Sequence, residues 1–189
     1  MSSIALKHGA TIDKFVGDAI MIFFGDPESE GAEKDALKCV NMALEMQEKM
    51  SSLKGVWGKS FGLSRPLQIR MGINTGYCTV GNFGSADRID YTAIGAGVNL
   101  ASRLESAAEP GSILISSETF LMIGDNLDCK ECGSIDLKGI SAPVTTYEVL
   151  GSRSRQDTIR KVQTFVDKSE ISDLSMSELR ELQQIISKN

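Results

Sequence analysis

Residues Thr11–Phe24 read TIDKFVGDAIMIFF. Two apolar runs rich in Ile, Val and Phe, Thr11–Val16 and Ala19–Phe24, flank the dipeptide Gly17-Asp18. Such runs joined by a Gly-Asp turn predict a tight antiparallel hairpin. Asp26-Pro27 closes the second strand and opens a turn. Upstream, Met1–Gly9 reads as the end of a helix stopped at Gly9. Downstream, Ala32, Ala36, Leu37, Val40, Ala43, Leu44 and Met46 recur at helical spacing, which predicts a long amphipathic helix from Ser29 to about Met50.

Beyond that helix, Ser51–Pro66 is dense in Gly and Ser and reads as a loop, with Trp57 and Phe61 packing it down. Leu67–Asn74 is expected to be a strand, Gly76–Gly84 extended, and Ile89–Ile94 a further strand leading into a helix from about Gly95 to Ser106. Ser112–Ser116 reads as a short strand and Glu118–Ile123 as a short helix. Ile135–Leu137 and Val144–Val149 read as closing strands. Helices and strands alternate, yet the hairpins demand antiparallel pairs, so the expected fold class is α+β with a mixed or antiparallel sheet. After Gly151 the composition shifts to a linker, Gly-Ser-Arg-Ser-Arg. Two weakly amphipathic helices follow, Thr158–Val166 and Met176–Ser187, the second with a narrow seam of Leu179, Leu182, Ile185 and Ile186. One domain over residues 1–150 and a linker with a helical tail over 151–189 are expected.

A chain of 189 residues suffices for one domain with a real core. Apolar residues at 41% and charged residues at 24% match ordinary globular proteins and exclude disordered or collagen-like classes. The longest apolar run, Ala19–Phe24, is too short to span a bilayer, and the N-terminus lacks the pattern of a secretory signal. With a net charge of −5 and no block of Lys or Arg, a general nucleic-acid binder is excluded. A nucleotide substrate is not, because metal ions can carry the positive charge locally. Cys129-Lys-Glu-Cys132 has the spacing of half a zinc site, but no second pair follows and the single histidine, His8, is distant. The pair reads as two reduced thiols near a strand, and the cysteine usage as that of the cytoplasm.

Two constellations carry chemistry. In the first, the hairpin tip holds Asp18, with Lys14 four residues before it. A carboxylate on a rigid turn can ligate Mg²⁺, which takes one or two carboxylates and leaves positions for phosphate oxygens. An aspartate also serves a turn merely by tolerating its geometry, and from the hairpin alone that plainer reading is preferred. In the second, Tyr91–Ser106, YTAIGAGVNLASRLES, runs from strand through a glycine turn into a helix. Asn99 and Arg103 stand at i and i+4 on one helix face, while Val98, Ala101 and Leu104 can bury the other. An amide beside a guanidinium suits a sugar oxygen and a phosphate, although a solvated surface pair has the same spacing.

Taken together, Lys14–Gly25 (KFVGDAIMIFFG), Ile69–Gly84 (IRMGINTGYCTVGNFG) and Tyr91–Ser106 resemble the class III adenylyl and guanylyl cyclases. Lys138-Gly139 followed by Pro143-Val144 and Tyr147 resembles the closing strands of that family. The resemblance covers about residues 1–150. It implies a ferredoxin-like α+β core acting as a head-to-tail homodimer with composite active sites. In the implied roles, Asp18 is the second of two metal-binding aspartates. Lys14 reads the purine, lysine going with adenine and glutamate with guanine. Thr92, seven residues before Asn99, falls at the other base-reading position, and threonine there marks the class IIIb subgroup that includes bicarbonate-stimulated enzymes. Asn99 and Arg103 match the pair that orients the ribose and stabilises the transition state. Arg70 and Lys138 match triphosphate-contacting residues. Asp18 and Arg70 would serve one site of the dimer, and Lys14, Thr92, Asn99, Arg103 and Lys138 the other.

The implied reaction is ATP to cyclic AMP and pyrophosphate, with two Mg²⁺ or Mn²⁺ ions assisting in-line attack of the ribose 3′-oxygen. The sequence departs from the family in one respect. The family's first strand, which carries the other metal-binding aspartate, is expected to be lacking, and with it most metal affinity and activity of this chain. Asp13 and Asp26 lie nearby but not at the family's position. The expectation is therefore an adenylyl cyclase core from a larger protein with an upstream regulatory domain. The alternatives are a non-catalytic dimerisation or nucleotide-sensing module and, against Lys14, a guanylyl cyclase.

Overall fold

The Gly-Asp hairpin forms where the two apolar runs place it. The computed structural model describes residues 1–62, 64–85, 87–135 and 143–153. After helix α1 (Ser2–Lys7), strands β1 (Thr11–Val16) and β2 (Ala19–Phe23) pair antiparallel, with Gly17 at φ 63° in the turn. Helix α2 (Ala32–Ser52) follows. A second helix, α3 (Lys54–Phe61), occupies the stretch expected to be a loop, and it ends at Gly62 in the left-handed conformation. Its Gly and Ser content hides the helix from a propensity reading, whereas the glycine stop is an ordinary C-terminal signal. Trp57 is half-buried, as the expected packing-down requires, and the Phe61 side chain lies outside what is described.

The remaining elements are β3 (Met71–Ile73), β4 (Thr79–Ser85), β5 (Arg88–Ile94), α4 (Ala96–Ala107), β6 (Ile113–Ser116), α5 (Ser117–Ile123), β7 (Leu127–Ile135) and β8 (Val144–Ser152). The strand expected over Leu67–Asn74 shortens to β3. A strand over Leu127–Ile135 ends where the closing strand expected at Ile135–Leu137 begins, and residues 136–142, with the rest of that expected strand, lie outside the described residues. β7 is the edge of its sheet and carries two register shifts, one at Gly133 with φ 79°. An edge strand tolerates the charges and glycine of DCKECG, which carry no strand pattern of their own. The expected tail helices at 158–166 and 176–187 are likewise outside the described residues.

Among the described residues, β3-β6-β8-β7 form a mixed sheet in which only β3 and β6 run parallel, and β1-β2 and β4-β5 are separate antiparallel pairs. This is the expected α+β class. Along β6 side chains alternate between faces. Ile113 and Ile115 meet Ala36, Val40 and Ala43 of α2, while Leu114 meets Leu104 and Ala108 at α4. The sheet is thus covered by α2 on one side and α4 on the other, and all four β6 residues are buried. Further along α2, Met42 and Met46 pack with Ile4, Ala5, Ile12 and Ile22. A single helix therefore fixes the hairpin against the sheet.

The β6–α5 junction turns on one hydroxyl. Ser116 Oγ accepts from the Thr119 backbone N–H at 3.3 Å and donates to Asn74 Oδ1 at 2.8 Å, with the residue wholly buried. Ser116→Ala removes the helix cap and orphans the Asn74 oxygen. A loss of about 1–3 kcal/mol is expected by urea unfolding; an unchanged midpoint would remove the cap from the account.

Candidate active site

A regular strand points adjacent side chains to opposite faces, so Asp13 and Lys14 should diverge. They do not, because β1 carries an extra residue at Asp13, between the pairs Ile12–Ile22 and Lys14–Met21. A bulge re-aims side chains in this way. Asp13 turns inward, its side chain 1% exposed, and its Oδ1 lies 3.3 Å from Lys14 Nζ. That contact is an ion pair rather than a directed hydrogen bond, and Oδ1 has no hydrogen-bond partner. The other oxygen, Oδ2, accepts the Thr92 hydroxyl at 2.7 Å and the Ala93 backbone N–H at 2.9 Å. Thr92 is itself buried on β5, whereas Lys14 keeps its side chain 42% exposed.

A second tie holds the two hairpins together. The Tyr91 hydroxyl donates to the Asp26 carboxylate, which raises the phenol above its usual range. Thr11 Oγ donates to the Asp26 carbonyl at 2.6 Å. Both aspartates near the hairpin are thereby engaged in joining it to β5.

From β5 the chain passes Gly95, at φ 147°, into α4. Asn99 is exposed and Arg103 half-buried, one turn apart, while Leu100 and Leu104 face the sheet. The entrance of the helix is pinned by Asn74 Nδ2, which donates to the Gly97 carbonyl at 3.1 Å. Near its other end, Arg70 Nε donates to Glu105 at 2.8 Å and Arg70 Nη1 to the Ser106 carbonyl at 3.3 Å.

Of the residues singled out from sequence, the fold thus joins Lys14 to Thr92 through Asp13, and sets Asn99 and Arg103 on the helix that follows Thr92. Arg70 lies at the far end of that helix. Asp18 stands exposed at the hairpin tip, away from these contacts. Lys138 lies outside the described residues. Sequence reasoning gave Asp13 no role. The one available signal was a carboxylate beside Lys14 within a strand, and the bulge that turns it inward leaves no mark in composition.

The resemblance implies two divalent metal ions, and the donors here can be tested against that need. Among the described residues no group of three or more His, Cys, Asp or Glu side chains could hold a metal ion. Asp13 and Asp26 are committed to Thr92, Ala93 and Tyr91. Asp18 alone falls short of a metal site, so no chemical step is routed through an ion. All four cysteines are free. Burial, with the Asp128 carboxylate adding to it, pushes the Cys129 thiol up to about 11, which leaves it protonated and unreactive at neutral pH. No helix among the described residues is long and apolar enough to cross a membrane.

The family model of the adenylate and guanylate cyclase catalytic domain matches residues 2–151. The solved structure of the adenylyl cyclase CyaB from P. aeruginosa superposes with a TM-score of 0.77 at 58% identity, covering 80% of this chain and 77% of that one. That of the guanylyl cyclase Cya2 gives 0.71 at 38% identity, covering 80% and 75%. Adenylate cyclase 1 of Rhizobium meliloti is 31% identical over 153 residues, which is 79% of this chain but 22% of that protein. The terminal-differentiation-specific adenylate cyclase of Dictyostelium discoideum is 35% identical over 159 residues, 82% of this chain and 7% of that protein. The chain therefore spans a minor part of the curated relatives it matches. With this agreement across the hairpin, β5 and α4, the chain belongs to the adenylate and guanylate cyclase catalytic-domain family.

Proposed function

We propose that this domain is the catalytic core of an adenylate cyclase, converting ATP to cyclic AMP and pyrophosphate. The observation that carries the reading is the Lys14–Asp13–Thr92 group, in which one buried carboxylate joins a part-exposed ammonium to a buried hydroxyl. Adenine N1 is an acceptor and suits the ammonium, whereas guanine presents N1–H there and suits a carboxylate. The identity to an adenylyl cyclase, CyaB, supports the same choice.

In this reading the ribose 3′-oxygen attacks the α-phosphorus in line, forming the new P–O bond. The bond to the β-phosphate oxygen breaks, pyrophosphate leaves with the electron pair, and the 3′-hydroxyl proton passes to solvent. Asn99 holds the ribose in that attack geometry. Arg103 meets the negative charge that grows on the α-phosphoryl oxygens. Arg70 and Lys138 bind the triphosphate. Asp18 would be one ligand toward a Mg²⁺ or Mn²⁺ ion, whose charge would offset that of the triphosphate, but it does not by itself make a metal site.

A homodimer with composite sites fits the exposed apolar residues of the hairpin and β5. Phe15, Val16 and Ile89 are each more than 60% exposed, and Tyr91 and Ile94 over 40%, a grouping that marks an interaction surface. The small share of the curated relatives that the chain covers supports a larger protein with a regulatory segment. A non-catalytic nucleotide-sensing module is the second reading, favoured by the absence, among the described residues, of any group of three or more His, Cys, Asp or Glu side chains that could hold a metal ion.

Cyclic AMP assays on the full-length gene product with ATP, and cyclic GMP assays with GTP, decide between these readings. ATP is expected to be strongly preferred. Lys14→Met should lower kcat/KM for ATP by about tenfold to a hundredfold while barely changing that for GTP. Absence of product from folded, full-length protein would favour the sensing module, and equal rates with both nucleotides would refute the adenine reading.

A further inference from the structure

A threonine hydroxyl is by itself a poor discriminator of purines. It can accept from the adenine 6-amino group or, after rotating, donate to guanine O6. The surroundings of Thr92 remove that freedom. Asp13 Oδ2 lies 2.7 Å from Thr92 Oγ, and a carboxylate accepts only, so the hydroxyl proton must point at Asp13. The one other acceptor in range is the Ala93 carbonyl at 3.5 Å, a long contact by comparison. The same carboxylate is held by the Ala93 N–H at 2.9 Å and buried by the bulge, so it cannot swing away from Thr92 at small cost.

We propose that Asp13 is the specificity-positioning residue of the purine pocket: it takes up the Thr92 proton, leaving the Thr92 oxygen as an acceptor only, and tethers the Lys14 ammonium beside it. This rests on the reading that Lys14 and Thr92 face the base. An acceptor-only Thr92 matches the adenine amino group and opposes guanine O6. The Lys14 ammonium, a donor only, matches adenine N1 and opposes guanine N1–H. One buried carboxylate thus sets both halves of the adenine pattern, and it does so without touching the nucleotide.

The variants Asp13→Ala and Asp13→Asn separate this from a structural role. With alanine the Thr92 hydroxyl is released and can donate to guanine. With asparagine the Ala93 N–H fixes the amide so that its carbonyl oxygen replaces Oδ2. Thr92 then stays an acceptor, and only the Lys14 tether is lost. The measurement is equilibrium binding of 3′-deoxy-ATP and 3′-deoxy-GTP, which cannot cyclise, to the full-length gene product, with thermal unfolding alongside. Thr92→Val and Asp13→Ala are each expected to narrow the ATP-to-GTP affinity ratio by about tenfold, the scale of a lost buried polar match. Asp13→Asn should stay within about threefold of the parent.

A structural role would weaken both nucleotides alike and leave the ratio unmoved. If Thr92→Val narrows the ratio while folded Asp13→Ala does not, the positioning role is overturned and the adenine reading stands. If Thr92→Val leaves the ratio unchanged, the adenine reading fails and the positioning role with it. Should Asp13→Ala fail to fold, the near-isosteric Asp13→Asn still decides: a ratio as narrow as that of Thr92→Val overturns the proposal, and a retained ratio supports it.

Discussion

Replacing Arg103 with alanine is expected to lower kcat for cyclic AMP formation by about 10²–10³-fold, with KM for ATP changed far less. The magnitude is that of removing one preorganised donor from the charge developing in a transition state. The split between kcat and KM follows because the α-phosphoryl oxygens gain most of their charge after binding, so ground-state affinity owes little to this side chain. The geometry supports preorganisation. Arg103 is half-buried on α4, next to the fully buried Leu104, and the helix entrance is fixed through Asn74 and Gly97. Arg103→Lys should recover only part of the loss, since an ammonium cannot offer the planar paired donors of a guanidinium. Steady-state assays of the full-length gene product supply the test. A kcat within a few-fold of the parent enzyme would remove Arg103 from the chemistry and return it to the class of solvated surface residues.

The hairpin, α2, β5 and α4 were legible because each rests on a local pattern. Thr11–Val16 and Ala19–Phe23 are runs rich in Ile, Val and Phe around a Gly-Asp turn, and Ala36, Val40, Ala43 and Met46 repeat at helical spacing. α3 and β7 were not legible, since their residues satisfy a tertiary position rather than a periodicity. β7 is charged and glycine-containing because it is an edge strand. The site divides in the same way. Asn99 and Arg103 can be placed from spacing alone, and Lys14 and Asp18 from the hairpin. Asp13 becomes meaningful only once the bulge brings β1 against Thr92, which lies 79 residues away in sequence. A contact of that range, made by a residue that breaks the strand's alternation, has no one-dimensional signature.

Gly72→Ala is expected to be severely damaging for the change of a single methyl group. A Cβ built on Gly72 would lie 2.0 Å from the Glu105 nitrogen, 2.3 Å from the Ala101 oxygen and 2.7 Å from the Leu104 carbonyl carbon. These are backbone atoms of α4, so no side-chain rotation relieves the clash; the helix must move away from β3. Overpacking of this kind costs about 3 kcal/mol or more, a large part of the roughly 5–15 kcal/mol that holds a domain folded. The damage also reaches the site. Lifting α4 off β3 pulls Leu104 out of its cluster with Ala108 and Leu114, strains the Arg70–Glu105 pair, and displaces Asn99 and Arg103 together. Stability and nucleotide binding should therefore fall in the same variant, by urea unfolding and by titration. Gly55 supplies the internal control: it sits within α3 with nothing near its would-be Cβ. Gly55→Ala should be neutral or stabilise by up to about 1 kcal/mol. If both alanine variants unfold at the parent midpoint, β3 and α4 do not approach as closely as the Gly72 contacts require, and the rigid seating of Asn99 and Arg103 loses its physical basis.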